Sequence, residues 1–183
     1  MPLYELGALS AVPASERPDL LAPPVLQAIT TASLLEKTGV VEIDPDMSDT
    51  AATQEAFGLP GDVVANCVIV AGRRAGVEKV AACVVLADSR ADINSTVKRL
   101  LDVRKASFVP TETATSTTGM EYGGITPIGL PDGWPVYVDA RVIQQDLVLL
   151  GSGIRPSKVV IPGILLSSLT GIQIVDDLGI SVA

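Results

Sequence analysis

The spacing of apolar residues splits the chain into a helical front and a sheet-forming remainder. Over residues 23–37, Val25, Leu26, Ile29, Ala32, Leu34 and Leu35 recur at helical intervals. Pro23 and Pro24 sit where a first helical turn tolerates them and Gly39 follows the end, so one amphipathic helix is predicted. Residues 40–43 are a short β-branched strand, and Asp44-Pro45-Asp46 turns the chain toward a second helix capped by Ser48, Asp49 or Thr50 and stopped at Gly58 and Pro60. Residues 63–71, apolar apart from Asn66, and residues 80–87 then read as interior strands, joined by a hairpin turn within residues 72–76. Asp92 opens a helix through Leu101, and residues 107–109 suggest a short strand. The Thr/Ser-rich residues 111–118 are a weak helix or a loop, and strands follow at 136–139, 147–150 and 159–161. A short helix begins at Pro162 and Gly163, and a strand over 172–175 closes the pattern. Residues 1–22, broken by Pro2, Pro13 and Pro18, read as a loosely packed lead-in. Short strands interrupted by scattered helices predict an α+β fold with one mixed, largely antiparallel sheet.

Composition narrows the chemistry. Apolar residues make up 48% and charged residues 19%, which marks a globular chain, and aromatics at 3% require an aliphatic core. No apolar run reaches the roughly 20 residues of a membrane helix, and no basic start leads into an apolar run, so a cytoplasmic protein is expected. Cys67 and Cys83 are either buried thiols or a redox pair; a hairpin centred near Ala75 would set them on one sheet face. Histidine is absent, which removes Ser/His and Cys/His nucleophile pairs and imidazole metal sites. Neither a metal nor a cofactor is expected. A net charge of −8 argues against broad binding to nucleic-acid backbone while leaving room for a local basic rim.

Two glycine-rich corners carry the candidate site. Gly123-Gly124-Ile125-Thr126-Pro127-Ile128-Gly129 combines backbone without Cβ cover with a stiff Ile-Thr-Pro run. It is either a tight connection between strands or a pocket wall that recognises its ligand through main chain. Gly151-Ser152-Gly153-Ile154-Arg155 is either a plain turn or a second such wall, with Arg155 available to a phosphate or carboxylate. Asp139 ends an apolar strand, where it caps the next turn or lines a pocket. Asn66, polar within an apolar strand, is a satisfied core residue or a pocket group. Neither glycine corner has the spacing of a nucleotide-binding loop.

In their order and spacing these blocks resemble the YbaK/prolyl-tRNA-synthetase-associated editing-domain family over residues 40–178. The corner at 123–129 resembles the family's Gly-Gly-Ile/Val-Ser/Thr-Pro-x-Gly loop, and residues 118–122 the Thr-Gly segment before it. Val138-Asp139-Ala140 resembles the strand-ending Asp, and residues 151–155 a Ser-Gly-Gly-Lys-Arg type of turn. The resemblance implies a partly barrel-like sheet with flanking helices, an N-terminal extension over 1–38 with one helix, and an editing domain over 39–183. It implies a trans-acting aminoacyl-tRNA deacylase that removes a mischarged small amino acid of the Cys, Ala or Ser class. The ester is already activated, so positioning it against water, with backbone donors for the oxyanion, suffices. The implied catalytic set is Asn66, Gly123, Gly124, Ile125, Thr126 and Pro127; the implied substrate-binding set is Asp139, Gly151, Ser152, Gly153 and Arg155. The implied partners are the aminoacyl-tRNA 3′ end and a delivering synthetase, not a membrane or DNA. One departure stands out. Many members carry a Lys in the strand that aligns with residues 64–70, where this chain has Asn66, and Ile154 replaces the basic residue before Arg155. The alternatives are a noncatalytic binding domain of the same fold and a hydrolase of other small esters or amides.

Overall fold

The computed structural model describes residues 1–182, which form two five-stranded sheets joined at one corner. In the first sheet, β1 (Tyr4–Leu6), β2 (Leu9–Pro13) and β3 (Gly39–Glu42) run antiparallel beside β10 (Ser157–Ile161) and β9 (Val148–Gly151). The second is built on the long hairpin of β4 (Ala65–Arg74) and β5 (Val77–Leu86), flanked by β7 (Ala106–Phe108), β8 (Val136–Asp139) and β11 (Ile172–Val175). It is mixed: β4 pairs antiparallel with β5 and β7, whereas β8 lies parallel to β5 and β11. A bridge between Val64 and Leu149 joins the sheets and curls them into a partial barrel. This is the α+β fold expected, with a mixed, largely antiparallel sheet and flanking helices. A small ribbon of β6 (Ser89–Ala91) and β12 (Gly179–Ser181) stands beside it.

The helices are short. They are α1 (Pro23–Thr31), α2 (Thr50–Phe57), α3 (Lys98–Leu101), α4 (Thr111–Thr118) and α5 (Ala140–Ile143). Asp49 caps α2 by accepting from the Ala52 amide, and Gly58 ends it with φ +64°. No helix of the described residues is long and apolar enough to cross a membrane. The main core lies between the sheets and α1 and is almost wholly aliphatic, with Ile29, Ile128, Leu150, Ile161 and Leu166 sealed from solvent and Trp134 packed at its margin.

Several expectations are corrected. Residues 1–22 are not a loose lead-in: β2 pairs with β3 through Val12 and Val40, and Ala11 and Ala14 are fully buried. Pro2 precedes β1, Pro13 ends β2 and Pro18 opens a short 3-10 turn, positions that tolerate a residue without an amide donor. The first helix stops at Thr31 rather than Lys37, because Ser33 turns left-handed (φ +58°) and the Leu34 amide closes back on the Ile29 carbonyl while its side chain is buried. Gly39 therefore belongs to β3, not to a helix end. The hairpin turn is the two residues Ala75 and Gly76, both at positive φ. That register pairs Cys67 with Val84 and Cys83 with Val68, so the cysteines lie on opposite faces and are free thiols. The helix from Asp92 is a wide π-type turn followed by α3, and the element after Pro162 is a 3-10 helix over Gly163–Ser168.

Asp139 clasps the C-terminal ribbon to the barrel. Its carboxylate, 1% exposed, accepts from the amides of Arg141 (2.9 Å) and Gly179 (2.6 Å) and from the Arg141 guanidinium (3.1 Å). Burial would raise the carboxyl, but the Arg141 side chain and the two amides outweigh it and hold Asp139 below its ordinary range. A depressed acid contributes stability above its unfolded value and loses it as pH falls through the folded one. Asp139→Asn is expected to lower stability at neutral pH by about 1–3 kcal/mol. It should also flatten the acid limb of the stability–pH curve, which urea titrations at several pH values will measure.

Candidate functional site

β7 pairs with β4 only at residues 70–72, and the contact with β9 comes at Val64. The Val109 amide extends that cover to the Ile69 carbonyl (2.9 Å), which leaves the edge of β4 from Ala65 to Val68 open, and a cavity of about 320 Å³ lies there. Val64, Ile69, Ala114, Ile125, Leu149 and Leu150 give it an apolar side, and Ser48, Asp49, Thr50, Asn66 and Lys158 a polar one. Asn66 lies on this wall, and its side-chain oxygen accepts the Thr50 hydroxyl from the first turn of α2. The Asn66 NH₂ group remains as a pair of donors.

The glycine corners meet backbone to backbone. The Gly153 amide donates to the Gly124 carbonyl at 2.7 Å, Glu121 and Gly153 bond at 2.9 Å, and the Gly124 amide closes on Glu121. A Cβ on Gly124 would lie 2.7 Å from the Ile154 nitrogen, and one on Gly151 2.5 Å from the Gly124 oxygen. Gly123 (φ +80°), Ile125 and Gly151 face the cavity. The amides of Gly123 and Ile125 have no partner among the described residues. Gly124, Thr126 and Pro127 stand behind this wall rather than on it, and Thr126 is buried with an unpaired hydroxyl.

The other expected residues hold the corners in place. Ser152 is buried, its hydroxyl shared with Ser157 Oγ at 2.7 Å and with the Ile154 carbonyl at 3.0 Å. Gly153 (φ +88°) packs against Ala22. Arg155 staples two loops: its guanidinium donates to the Pro45 and Tyr122 carbonyls (2.9 and 3.3 Å) and lies 5.7 Å from the Tyr122 ring. Asp139 is not a cavity residue; it belongs to the clasp described above.

The sequence reading missed Lys158. It sits on β10, 7% exposed, and reaches the cavity, where Nζ donates to the Ser48 carbonyl (2.5 Å) and, at 3.4 Å, to that of Gly123. No carboxylate of the described residues pairs with it. It is the one cation on the cavity wall among them. Burial lowers its pKa to about 8; Asp49 nearby acts against that shift and Arg155 adds to it. β10 starts two residues before residue 159, so Lys158 pairs within the sheet, opposite Val41 and Gly151, and only that pairing marks it as a strand residue. Ser48 and Thr50 were read only as helix caps.

A family model, the aminoacyl-tRNA editing domain, matches residues 44–166. The match spans more than half of the sequence, and the chain belongs to that family. Among solved structures, the hypothetical protein APE2540 is similar at a TM-score of 0.72 and 22% identity, over 86% of this chain and 99% of that one. A candidate trans-editing enzyme for prolyl-tRNA synthetase is similar at 0.69 and 22%, over 85% and 94%. A protein scaffold from a computational epitope-grafting design is similar at 0.68 and 22%, over 85% and 95%. At these identities the likeness shows a shared fold. No curated protein matches the sequence.

The corner contact predicts a sharp substitution effect. Gly124→Ala must push backbone against backbone, so urea denaturation should show a loss of about 1–3 kcal/mol. Gly58→Ala, whose Cβ meets nothing within 4 Å, should cost only about 1 kcal/mol for its left-handed backbone.

Proposed function

We propose that this editing domain is a trans-acting aminoacyl-tRNA deacylase for a mischarged small amino acid of the Cys, Ala or Ser class. The observation that carries the reading is a small, partly apolar cavity lined by Lys158, Asn66, Gly123 and Ile125, in a chain of the editing family. Its volume suits a short side chain. Its chemistry suits an ester that needs positioning rather than a nucleophilic side chain.

In this reading the ester carbonyl oxygen faces the Lys158 ammonium and the unpaired amides of Gly123 and Ile125. Two of the ammonium's three N–H groups point to the Ser48 and Gly123 carbonyls, which leaves one for the substrate. Water, oriented by the neighbouring ribose hydroxyl and the Asn66 NH₂ group, attacks the carbonyl carbon. The carbonyl π electrons move to oxygen, and these donors hold the resulting oxyanion. Collapse breaks the bond to the ribose oxygen, which leaves with a proton that came from the water, and the amino acid departs as the acid. Lys158 thus supplies the positive charge that Asn66, a neutral residue, lacks.

Purified protein should deacylate at least one of Cys-, Ala- and Ser-charged tRNA well above the buffer rate. Rates at the buffer level for all three would refute the proposal, and retained tRNA binding in that case would favour a binding domain. Lys158→Met is expected to lower turnover about 100-fold, the usual effect of removing one oxyanion donor. The ammonium is the active form, so the rate, corrected for spontaneous hydrolysis, should fall as pH rises through about 8. Lys158→Arg should keep part of the activity and lose that alkaline fall, since a guanidinium stays charged. A rate that instead rises with pH in the wild type would assign Lys158 another task.

A further inference from the structure

The net charge of −8 conceals a segregation. Residues 73–105 carry eight Lys and Arg against four Asp and Glu, whereas the rest of the chain carries five against 17. The fold gathers the basic stretch. The tip of the β4–β5 hairpin lies beside the end of α3: Arg74 pairs with Asp102, and Lys79 Nζ is 3.5 Å from the same carboxylate. β7 docks on β4 with Ala106 opposite Gly72, and a Cβ on Gly72 would lie 2.4 Å from the Lys105 carbonyl, so Arg73 and Lys105 end up on neighbouring strands.

A second cavity, of about 490 Å³, opens on this face. Arg73 and Lys105 line it together with Trp134 and Phe108, and Glu78, 3.7 Å from Arg73, is its acidic member. Phe108 lines the first cavity as well, and the residue is 64% exposed. One groove lining thus holds an exposed aromatic side chain, Phe108, and a half-buried one, Trp134, together with two cations, in a chain whose aromatics are only 3%.

We infer that this groove is the docking surface for the single-stranded 3′ end of the RNA that carries the ester. The bases stack on Phe108 and Trp134, and the phosphates face Arg73 and Lys105. Stacking platforms beside cations are how sequence-tolerant single-strand binding is built. The acidic remainder of the surface repels the phosphate backbone and so restricts docking to this face. The inference deepens the deacylase reading and rests on it for the identity of the RNA.

The test is fluorescence anisotropy with a labelled, uncharged acceptor-stem hairpin ending in a single-stranded 3′ extension. The double variant Arg73→Gln/Lys105→Gln should weaken binding about tenfold at low salt. It should also flatten the dependence of log affinity on log salt by about one for each phosphate contact removed. Trp134→Leu should weaken binding with the salt slope kept. With aminoacyl-tRNA, the double variant should raise KM and leave the single-turnover rate at saturation unchanged, and it should hydrolyse a free aminoacyl ethyl ester like the wild type. Equal affinities and slopes in wild type and variants overturn the inference. So does a double variant that loses binding to a synthetase while holding the RNA normally. If no charged tRNA is hydrolysed yet the anisotropy difference persists, the groove stands and the deacylase reading alone falls.

Discussion

The constraint on which the site depends is the contact of two backbones with no side chain between them. Gly124 lies so close to residues 151–154 that any Cβ would collide with main-chain atoms, and the carbonyl of Gly124 is fixed by the Gly153 amide. Close approach of this kind needs glycine on both segments. It sets Gly123 and Ile125, whose amides have no partner among the described residues, on the cavity lining, and it brings the Gly123 carbonyl within reach of Lys158. Ser152 and Arg155 then tie the same turn to β10 and to the loop around Pro45. The expected side-chain roles of the second corner thereby become structural ones, while its backbone serves the wall.

Lys158 shows what the site costs the fold. Burial lowers its pKa to about 8, below that of a solvated lysine, an effect on the order of 3 kcal/mol against folding at neutral pH. The unfolded chain holds this proton more tightly, so stability from this group rises as pH climbs from about 8 toward the ordinary lysine value. The ammonium ties the Ser48 and Gly123 carbonyls to β10, yet it does so at a desolvation cost and on a cavity wall. Strain of that kind is characteristic of sites where stability is given up for function.

How much of this was legible in the sequence depended on whether the signal was local. The glycine corners, the Asp49 cap, the β4–β5 hairpin and the strand-ending Asp139 all follow from turn chemistry and short-range periodicity. Lys158 was missed because its strand was read from its most apolar residues, which start one position later; a polar residue at a strand end is indistinguishable from a loop residue until pairing is known. The N-terminal strands β1 and β2 were lost for a similar reason: three prolines dominate that stretch, and only the partner β3 makes an extended segment there worth its entropy. The gathering of basic residues at the hairpin tip and α3 is visible as a charge count, but only the pairing of β7 with β4 turns it into one face.

The one-residue offset in the β4–β5 hairpin reaches beyond geometry. Cys67 and Cys83 come within a single ladder step of being cross-strand neighbours, yet the pleat sends their sulfurs to opposite faces. Burial also raises both thiols, Cys83 to about 12, so neither offers a thiolate to an oxidant or an electrophile. Cys67 lies on the cavity wall and still behaves as a small apolar surface. With their side chains on opposite faces the two cysteines are not placed to close a disulfide across the hairpin, so the pocket wall holds its shape without a bond that reduction could break.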